Sequence, residues 1–420
     1  MKQLVVRGGS PLYGEIEIEG AKNAALPILF ATLLADGMST IHRLPKIGDV
    51  DVAINMLKSM GAVCSFPSIH TLNICTDSCF GQRTPILGSE KLRGSIYLLG
   101  AALGRFGEAF CCFPGGCKLG ARPIDQHLKV LSALGADISL EDRGIYAKAN
   151  TLSATTFAFD IESVGATING MLAATQANGT TVLKNVAKEP YIKDVATFLN
   201  ALGAKIIGAG SDTIYIEGKT PLHGAEHTLM GDGMEAGTYM ILAAATGGEI
   251  TVNGICPEDL ESLETVFLQM GVKVTRTKHS ITVKGSNYLL PVNIKTGPYP
   301  QFPTDLHPPL VALLSACKGE SRIEETVWRN RFQYLEALTK MGLKAKRKDA
   351  TLTIEGGGRL TGATVCATDL RGGAAALILA LMAKGESIIR QAEYIFRGYE
   401  GIAEKCRSLG GDVWIEDYLA

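Results

Sequence analysis

The stretch ATINGMLAATQANGTTVLK, residues 166–184, is one copy of the sequence unit that decides the fold. Its first eleven residues are small and mostly apolar, which is typical of a helix that is buried on every side. Gly179 follows them, and we expect this glycine to take the left-handed conformation that ends a helix. The run at 180–184 is rich in β-branched residues and predicts a strand.

The unit continues beyond this stretch and is repeated along the chain. A second helix is predicted at 193–202 and a short strand at 205–207, and Thr213–Glu217 and Thr351–Glu355 predict antiparallel strands. The glycines that follow the first helix of each copy are Gly37, Gly107, Gly179, Gly248, Gly319 and Gly385. Those that follow the second helix, 68 to 74 residues apart, are Gly61, Gly135, Gly203, Gly271, Gly342 and Gly410. Two independent marks in one phase indicate six copies.

Six copies predict an α/β protein of two domains. One unit cannot bury both faces of its own sheet, so the copies must pack on one another. A chain of 420 residues is too long for one ordinary core, and six copies divide naturally into three and three. A single solenoid of six stacked units is the alternative that periodicity leaves open.

Composition and charge limit the classes of function. Apolar residues make up 46% and charged residues 20%, which is typical of a well-packed globular protein. The net charge of −1 provides no global attraction for nucleic acid, so anions must be bound by a local cluster. Residues 1–7 show no signal region and the apolar run at 374–383 is too short for a span, so we expect a cytoplasmic protein without membrane insertion. The seven histidines and ten cysteines show no metal-ligand spacing, and we expect neither metal nor cofactor.

The loop FPGGCKLGARPIDQH at 113–127 breaks the apolar pattern. Its glycines give flexibility and permit close backbone approach. Cys117 lies beside Lys118 and five residues before Arg122, and cations near a thiol lower its pKa and raise its reactivity. This indicates a reactive cysteine, although an ordinary surface loop remains the alternative.

Two further segments carry a candidate charge at the start of a helix. Lys22 lies at a strand-to-helix turn, where a lysine and the helix N-terminus can hold a phosphate together. Asp305 follows Phe-Pro-Thr before a helix and could be a general base. The alternatives are a solvated lysine and an aspartate that caps a helix.

Four arginines recur in similar contexts and suggest a convergent anion site. Arg93 and Arg371 begin helices rich in small residues, whereas Arg331 and Arg397 stand late in their units. The guanidinium fork matches carboxylate and phosphate oxygens with two hydrogen bonds. Taken singly, each is more often a surface residue.

Together these motifs resemble the UDP-N-acetylglucosamine 1-carboxyvinyltransferases, a branch of the enolpyruvyl transferase family. The matching segments are, in order, GAKNAALP at 20–27, PGGCKLGARP at 114–123, SVGAT at 163–167, FPTD at 302–305, NRF at 330–332, TDLR at 368–371 and RGYE at 397–400. The resemblance implies a two-domain inside-out α/β barrel with three pseudo-repeats per domain. One domain would be 22–230, and the other 1–21 with 231–420.

The resemblance also implies a reaction. The enolpyruvyl group of phosphoenolpyruvate would move to the 3-hydroxyl of UDP-N-acetylglucosamine by addition and elimination of phosphate, the first committed step of peptidoglycan synthesis. Cys117 would be the general acid and the thiol that the inhibitor fosfomycin alkylates, and Asp305 would be the base. Lys22, Arg122 and Arg397 would hold phosphoenolpyruvate.

Further residues are implied around the substrates. Those expected to contact the sugar nucleotide are Asn23, Arg93, Arg122, Pro123, Ile124, Asp125, Gln126, Ser163, Val164, Gly165 and Val327. Arg331, Asp369 and Arg371 would complete the charged site. The chain departs from the family pattern at Gly48, Ile161 and Gly233, where many members have a basic residue, and these changes bear on diphosphate binding and closure.

Two rival functions stay open at this point. An EPSP synthase would share the fold and use shikimate 3-phosphate, but that branch lacks the Pro-Gly-Gly-Cys loop. A catalytically idle relative could bind a UDP-sugar as a regulator. Phosphate release from phosphoenolpyruvate with each acceptor separates the three.

Overall fold

The computed structural model describes residues 1–81, 89–113, 115 and 123–419, and this part of the chain divides into two units. The inserted unit takes the described residues of 20–116 and 122–230, and the split unit takes those of 1–19 and 231–420. Each unit has a hydrophobic core of its own. The fold class, mixed α/β, is as predicted.

Helices and strands follow one another in the order expected from the repeat. The helices are α1 Lys22–Ala31, α2 Gly48–Ser59, α3 Tyr97–Phe106, α4 Asp125–Ala133, α5 Val164–Ala174, α6 Pro190–Ala201, α7 Gly233–Thr246, α8 Glu261–Met270, α9 His307–Leu314, α10 Leu335–Lys340, α11 Leu370–Met382, α12 Glu393–Phe396 and α13 Ile402–Ser408. Short 3₁₀ turns are Thr32–Leu34, Ser89–Lys91, Arg93–Ile96, Pro257–Leu260 and Thr304–Leu306.

The strands are short, three to seven residues each. They are β1 Lys2–Gly8, β2 Tyr13–Glu17, β3 Met38–His42, β4 Val63–Ser68, β5 Thr71–Cys75, β6 Glu108–Cys112, β7 Asp137–Glu141, β8 Gly144–Lys148, β9 Thr156–Ala158, β10 Thr180–Lys184, β11 Lys205–Ile207, β12 Thr213–Glu217, β13 Glu226–Thr228, β14 Glu249–Asn253, β15 Lys273–Arg276, β16 Ser280–Lys284, β17 Asn293–Lys295, β18 Glu320–Glu324, β19 Lys344–Lys348, β20 Thr351–Glu355, β21 Thr364–Cys366, β22 Gly385–Arg390 and β23 Asp412–Asp417. The four strands predicted at 180–184, 205–207, 213–217 and 351–355 are confirmed residue for residue.

Three helices in each unit are buried almost all round. In the inserted unit α3 packs on α1 and α5, and in the split unit α11 packs on α7 and α9. Every residue of α9 is buried, as are Ala166–Ala174 of α5. A helix that is apolar on all faces has no side to turn to water, so the sheets must cover it.

Five sheets share one pairing pattern within the described residues. In the sheet β9-β10-β12-β11, β9 runs parallel to β10 and the two following pairs are antiparallel. The same pattern occurs in β13-β3-β5-β4, β2-β14-β16-β15, β17-β18-β20-β19 and β21-β22-β1-β23. The sixth sheet, β6-β8-β7, shows the two antiparallel pairs. Because β1 pairs with β22 and β23, a solenoid in which each copy contacts only its sequence neighbours does not describe the pairing.

The prediction that the first glycine of each copy ends a helix is wrong for most copies. Only Gly107 caps its helix, with a φ of 73°. Gly37, Gly179, Gly319 and Gly385 do have positive φ, but irregular turns separate them from the preceding helix. Gly248 is needed for another reason, because a Cβ there would lie 1.8 Å from the carbonyl oxygen of Leu12.

For the second set of glycines, which follow the second helix of each copy, the left-handed helix-end position is confirmed. All six have φ between 80° and 109° and lie one or two residues after a helix end. This is the left-handed position at which glycine carries no steric penalty. Leu or Met directly precedes each of these six glycines, and this pair of residues is therefore the helix stop signal of the repeat.

A third recurring position separates two of the six copies from the rest. The residue after the strand that opens each antiparallel pair has a positive φ in four copies, at Arg43, Asn185, Gly254 and Gln391. In the other two copies Phe113 and Glu325 stand there without a positive φ. These two are followed by the loop with Cys117 and by Val327, so the departures coincide with predicted chemistry.

No helix in the described part of the chain is long and apolar enough to cross a membrane.

Candidate active site

Asp305 of the split unit receives hydrogen bonds from two guanidinium groups. It lies in the 3₁₀ turn Thr304–Leu306 directly before α9, and 30% of its side chain is exposed. Arg331 Nη1 donates to Oδ1 at 2.7 Å. Arg371 Nε donates to Oδ2 at 3.2 Å, and Arg371 Nη2 lies 3.2 Å from the same oxygen. The structure thus brings together three residues that were predicted from separate motifs.

Both guanidinium groups are buried, since only 3% of each side chain is exposed. Burial disfavours their charge, but the carboxylates of Asp305 and Asp369 outweigh it and raise the pKa of Arg331. For Arg371 burial is again the largest effect, and Tyr399 and Asp305 outweigh it to raise its pKa. Two cations fixed in this way can orient an anionic or oxygen-rich group without reorganisation.

The helix α11 fixes the backbone of Arg371. Asp369 is its N-cap, and Oδ1 accepts from the backbone N–H groups of Arg371 and Gly372 at 3.0 Å. The guanidinium of Arg371 lies over the ring of Tyr399 at 5.1 Å. Asp369 therefore acts here as a helix cap beside the charged groups. Arg397, also predicted, is partly buried directly after α12.

Val327 follows β18 in a short irregular segment. Its backbone N–H donates to Glu325 at 2.9 Å, so this donor is already used. Any substrate contact of Val327 would come from its carbonyl oxygen or its side chain. Glu325 was not among the predicted residues, although it lies only two residues before Val327.

In the inserted unit Lys22 is paired with a carboxylate that the motifs did not reveal. Lys22 is the first residue of α1, and its Nζ lies 2.9 Å from Asp49 Oδ2. The exposed fractions of the two side chains are 15% and 7%. Asp49 is in the first turn of α2, next to the departure at Gly48. Asn23 follows Lys22 and is partly buried.

The segment from Pro123 to Gln126 lies beside Arg93 and Asp160. Arg93 Nη2 is 3.5 Å from the carbonyl oxygen of Pro123. Gln126 Nε2 donates to Asp125 and to Asp160, each at 2.8 Å. Ile124 packs against the core of the unit. This part of the predicted nucleotide site is held by contacts among its own members and by Asp160, which was not predicted.

Ser163, Val164 and Gly165 form the start of α5. Ser163 is the N-cap, and its Oγ accepts from the backbone N–H of Ala166 at 3.4 Å. A Cβ on Gly165 would lie 2.8 Å from Nε2 of His127, so glycine is required by this close approach. The first turn of α5 thus packs directly on a histidine ring from α4.

His127 is a buried, neutral histidine in this arrangement. Burial is the main reason that its pKa falls to about 3, and the charge of Arg93 lowers it further. Its Nδ1 lies 2.8 Å from Asn169 Nδ2, which can only donate, so the ring proton belongs on Nε2. Asn169 Oδ1 also accepts from the backbone N–H of Gly100 in α3 at 3.0 Å. Its Nδ2 donates to the carbonyl oxygen of Ile96, in the turn before α3, at 2.9 Å.

Cys117 and Arg122 lie outside the described residues. Among the cysteines that the structure describes, burial raises the pKa of Cys111 and Cys406 to about 12 and those of Cys79 and Cys317 to about 11. None of these four is disposed to form a thiolate. No group of three or more His, Cys, Asp or Glu side chains in the described ranges is arranged to hold a metal.

Sequence comparison finds close relatives over nearly the whole chain. A family model described as EPSP synthase (3-phosphoshikimate 1-carboxyvinyltransferase) matches residues 6–406. A UDP-N-acetylglucosamine 1-carboxyvinyltransferase of Clostridium botulinum is 46% identical over 414 residues, covering 98% of this chain and 99% of the relative. A protein of Caldanaerobacter subterraneus with the same name, numbered 3, is 46% identical with the same coverage.

Solved structures match over the same extent. The enolpyruvyl transferase NikO from Streptomyces tendae has a TM-score of 0.90 and 25% identity, covering 100% of this chain and 99% of its own. An EPSP synthase from Acinetobacter baumannii has a TM-score of 0.76 and 18% identity, covering 99% and 100%. At that identity the second match concerns the fold alone.

Proposed function

The chain belongs to the UDP-N-acetylglucosamine 1-carboxyvinyltransferases of the enolpyruvyl transferase family, and from this premise we propose its reaction. It transfers the enolpyruvyl group of phosphoenolpyruvate to the 3-hydroxyl of UDP-N-acetylglucosamine and releases phosphate. This is the first committed step of peptidoglycan synthesis. The observation that carries the proposal is the 46% identity to relatives of that name over 98% of the chain.

The proposed chemistry has an addition and an elimination step. Asp305 accepts the proton of the sugar 3-hydroxyl as its oxygen bonds to C2 of phosphoenolpyruvate, and Cys117 delivers a proton to the methylene carbon. The product of addition is a tetrahedral ketal. Loss of a proton from the methyl group and departure of phosphate restore the double bond, now attached to the sugar.

The charged residues have distinct parts in this proposal. Arg331 and Arg371 hold the carboxylate of Asp305 at 2.7 and 3.2 Å, and they fix the direction from which it approaches a hydroxyl. Lys22, Arg122 and Arg397 bind the phosphate and carboxylate of phosphoenolpyruvate. Lys22 is already paired with Asp49 at 2.9 Å, so substrate phosphate must share or displace this contact.

The nucleotide residues are proposed from both units. In the inserted unit Asn23, Arg93, Pro123–Gln126 and Ser163–Gly165 contact UDP-N-acetylglucosamine. The serine at the start of α5 and the free N–H groups of a helix first turn suit an anionic ligand. In the split unit Val327 contributes through its carbonyl oxygen or side chain.

The finer description of the fold is part of the same proposal. Buried helices beneath partly exposed sheets support an inside-out α/β barrel in each of two domains, built from three pseudo-repeats. The domains are proposed as 22–230 and 1–21 with 231–420. A cytoplasmic location follows from the substrates, because multiply charged anions do not cross a bilayer unaided.

Phosphate release from phosphoenolpyruvate tests the function. We expect release with UDP-N-acetylglucosamine and none with shikimate 3-phosphate as acceptor. In Cys117→Ala the rate falls by about 10²-fold or more, the usual loss for a general acid. The matched control is Cys256→Ala. Cys256 is accessible, but the partial burial of its thiol and its hydrogen bond to Glu258 raise its pKa to about 11.

Each other outcome selects a rival. Release with shikimate 3-phosphate instead assigns the chain to the EPSP synthase reaction. Release with neither acceptor, together with UDP-sugar binding by calorimetry, leaves the idle regulator. A Cys117→Ala variant with the wild-type rate removes Cys117 from the chemistry.

Fosfomycin is proposed to alkylate Cys117, because a thiolate opens its epoxide. We expect intact-mass analysis to show one adduct and peptide mapping to place it on Cys117, since burial raises the pKa values of buried thiols such as Cys111 and Cys406. Cys117→Asp should keep turnover, because a carboxylic acid also delivers a proton, and should resist the inhibitor. An adduct on another cysteine, or an inactive Cys117→Asp, contradicts the assignment.

A further inference from the structure

Glu325 is a buried carboxylate that joins separate segments of the split unit. It follows β18, and its side chain is 0% exposed. Its Oε1 accepts from the hydroxyl of Thr296 and from the backbone N–H groups of Val327 and Trp328, each at 2.9 Å. One oxygen thereby fixes the end of β17 against the segment that carries Val327.

The second oxygen of Glu325 accepts hydrogen bonds from residues before and after Asp305 in the chain. Oε2 accepts from the Thr304 hydroxyl at 2.8 Å and from His307 Nδ1 at 2.9 Å. Thr304 Oγ1 in turn accepts from Arg331 Nη1 at 3.1 Å, and this same nitrogen donates to Asp305. The turn that carries Asp305 is therefore held at the residue before it and at the second residue after it.

His307 extends the network by one more buried group. Its Nε2 lies 2.8 Å from the hydroxyl of Tyr334, and burial lowers the pKa of His307. A neutral ring that donates through Nδ1 and accepts at Nε2 satisfies both contacts. Burial alone would raise the pKa of Glu325, but the hydrogen bond from His307 and those from Trp328 and Thr304 outweigh it and lower the pKa.

The carboxylate of Glu325 accepts hydrogen bonds from five donors, and a strand end can be buried without any such carboxylate. In four of the six copies the residue at the corresponding position has a positive φ. Glu325 does not, and the chain there is fixed instead by the hydrogen bonds of its side chain. A charge withdrawn from water costs free energy unless donors surround it. Here four of the five donors come from the two segments that carry the proposed base and a proposed sugar contact, and the fifth is Thr296 after β17.

We propose that Glu325 is a positioning residue of the transfer reaction, which fixes the turn of Asp305 relative to the segment of Val327. The chemical part rests on the proposed function. The geometric part does not, because it concerns contacts within the split unit. Glu325 touches no reacting atom in this proposal and acts through Asp305 and Val327.

Glu325→Gln tests the proposal with almost no change in shape. An amide nitrogen cannot accept, so one set of donors loses its acceptor, although His307 can move its proton to Nε2. We expect kcat for phosphate release to fall by about 10- to 100-fold, since small misplacement of a catalytic group costs this much. The KM for phosphoenolpyruvate should change less than about threefold, because its proposed ligands are elsewhere.

The matched control is Ser321→Ala on the same strand. Ser321 is fully buried, and its Oγ accepts from the backbone N–H of Val292 at 3.2 Å. Its loss removes a buried acceptor without touching the turn of Asp305. We expect a lower melting temperature with unchanged kcat. If Ser321→Ala lowers kcat as much as Glu325→Gln, the effect is general destabilisation and the proposal is overturned.

Hydrogen–deuterium exchange provides a readout that needs no turnover. Peptides spanning 302–307 should exchange faster in Glu325→Gln than in wild type, and at the wild-type rate in Ser321→Ala. If the wild-type protein shows no transfer activity but the peptides still exchange faster in Glu325→Gln, the positioning role stands and the proposed function is wrong. If the wild-type protein is active and Glu325→Gln changes neither the exchange of these peptides nor kcat, the positioning role is wrong and the proposed function stands.

A second pair of variants applies if Glu325→Gln does not fold. His307→Asn keeps a donor near the position of Nδ1, whereas His307→Leu has none. We expect kcat near wild type for the first and a loss of about 10-fold for the second. Equal kcat values for the two variants contradict the proposal.

Discussion

Replacing Asp305 with asparagine lowers kcat for phosphate release by about 10²- to 10⁴-fold, the range for loss of a general base. The amide oxygen can still accept from one guanidinium group, but it cannot take the proton of the sugar hydroxyl. The amide nitrogen would face the other guanidinium, which only donates. Arg331 or Arg371, each with 3% of its side chain exposed, is thus left facing a donor.

Steady-state kinetics and calorimetry separate the two effects of this change. We expect kcat to fall while UDP-N-acetylglucosamine still binds, because most of its proposed contacts are in the inserted unit. Asp305→Glu is the control, since it keeps the carboxylate and displaces it by one methylene group. Its rate should lie between those of wild type and Asp305→Asn. An Asp305→Asn rate within threefold of wild type would falsify the base assignment.

Replacing Asn169 with alanine destabilises the inserted unit by about 3 to 5 kcal/mol, the largest stability effect we expect from a single residue. Its amide bonds Gly100 N, Ile96 O and His127 Nδ1 at 3.0, 2.9 and 2.8 Å. Asn169 is 0% exposed, so water does not replace these bonds. Each buried group left without a partner costs about 1 to 3 kcal/mol.

Urea unfolding followed by circular dichroism measures this loss. The control is Asn200→Ala in the same unit, because Asn200 also bonds two backbone groups, Ile206 O at 2.9 Å and Ile206 N at 2.8 Å. Asn200 is exposed, and water can take over both bonds, so we expect a loss below about 1.5 kcal/mol. Equal losses in the two variants would show that burial of the amide is not the cause.

The periodic features of the fold were predictable because they are local. A run such as Thr180–Lys184 specifies a strand by its own β-branched residues, and it forms there. The glycine marks were found, and their predicted role at a helix end is confirmed for the second set but wrong for most of the first, since a positive φ can serve a helix end or a strand start. The sequence alone does not distinguish Gly37, which precedes a strand, from Gly61, which follows a helix.

The candidate site was predictable only in part, for a related reason. Asp305 and Arg371 stand in unusual local sequences and attract notice, and the structure pairs them. Glu325 directly follows β18, and the alternation that buries Ser321 and Ile323 also places residue 325 on the buried side. A carboxylate is nevertheless rarely buried without partners, so the residue type by itself favours exposure. Its burial depends on Thr304 and His307, which come from a different helix turn. Contacts of this kind are set by tertiary packing and leave no local pattern.

The pairing of β1 has a consequence for the order in which the protein is made. Leu4 lies opposite Ile389 of β22 and Ile415 of β23, so β1 pairs with strands that are synthesised long after it. The inserted unit can complete its sheets earlier, which shortens the loop that remains to be closed. A chain that stops before residue 412 leaves one edge of β1 unpaired, and such an edge can recruit a strand from another molecule.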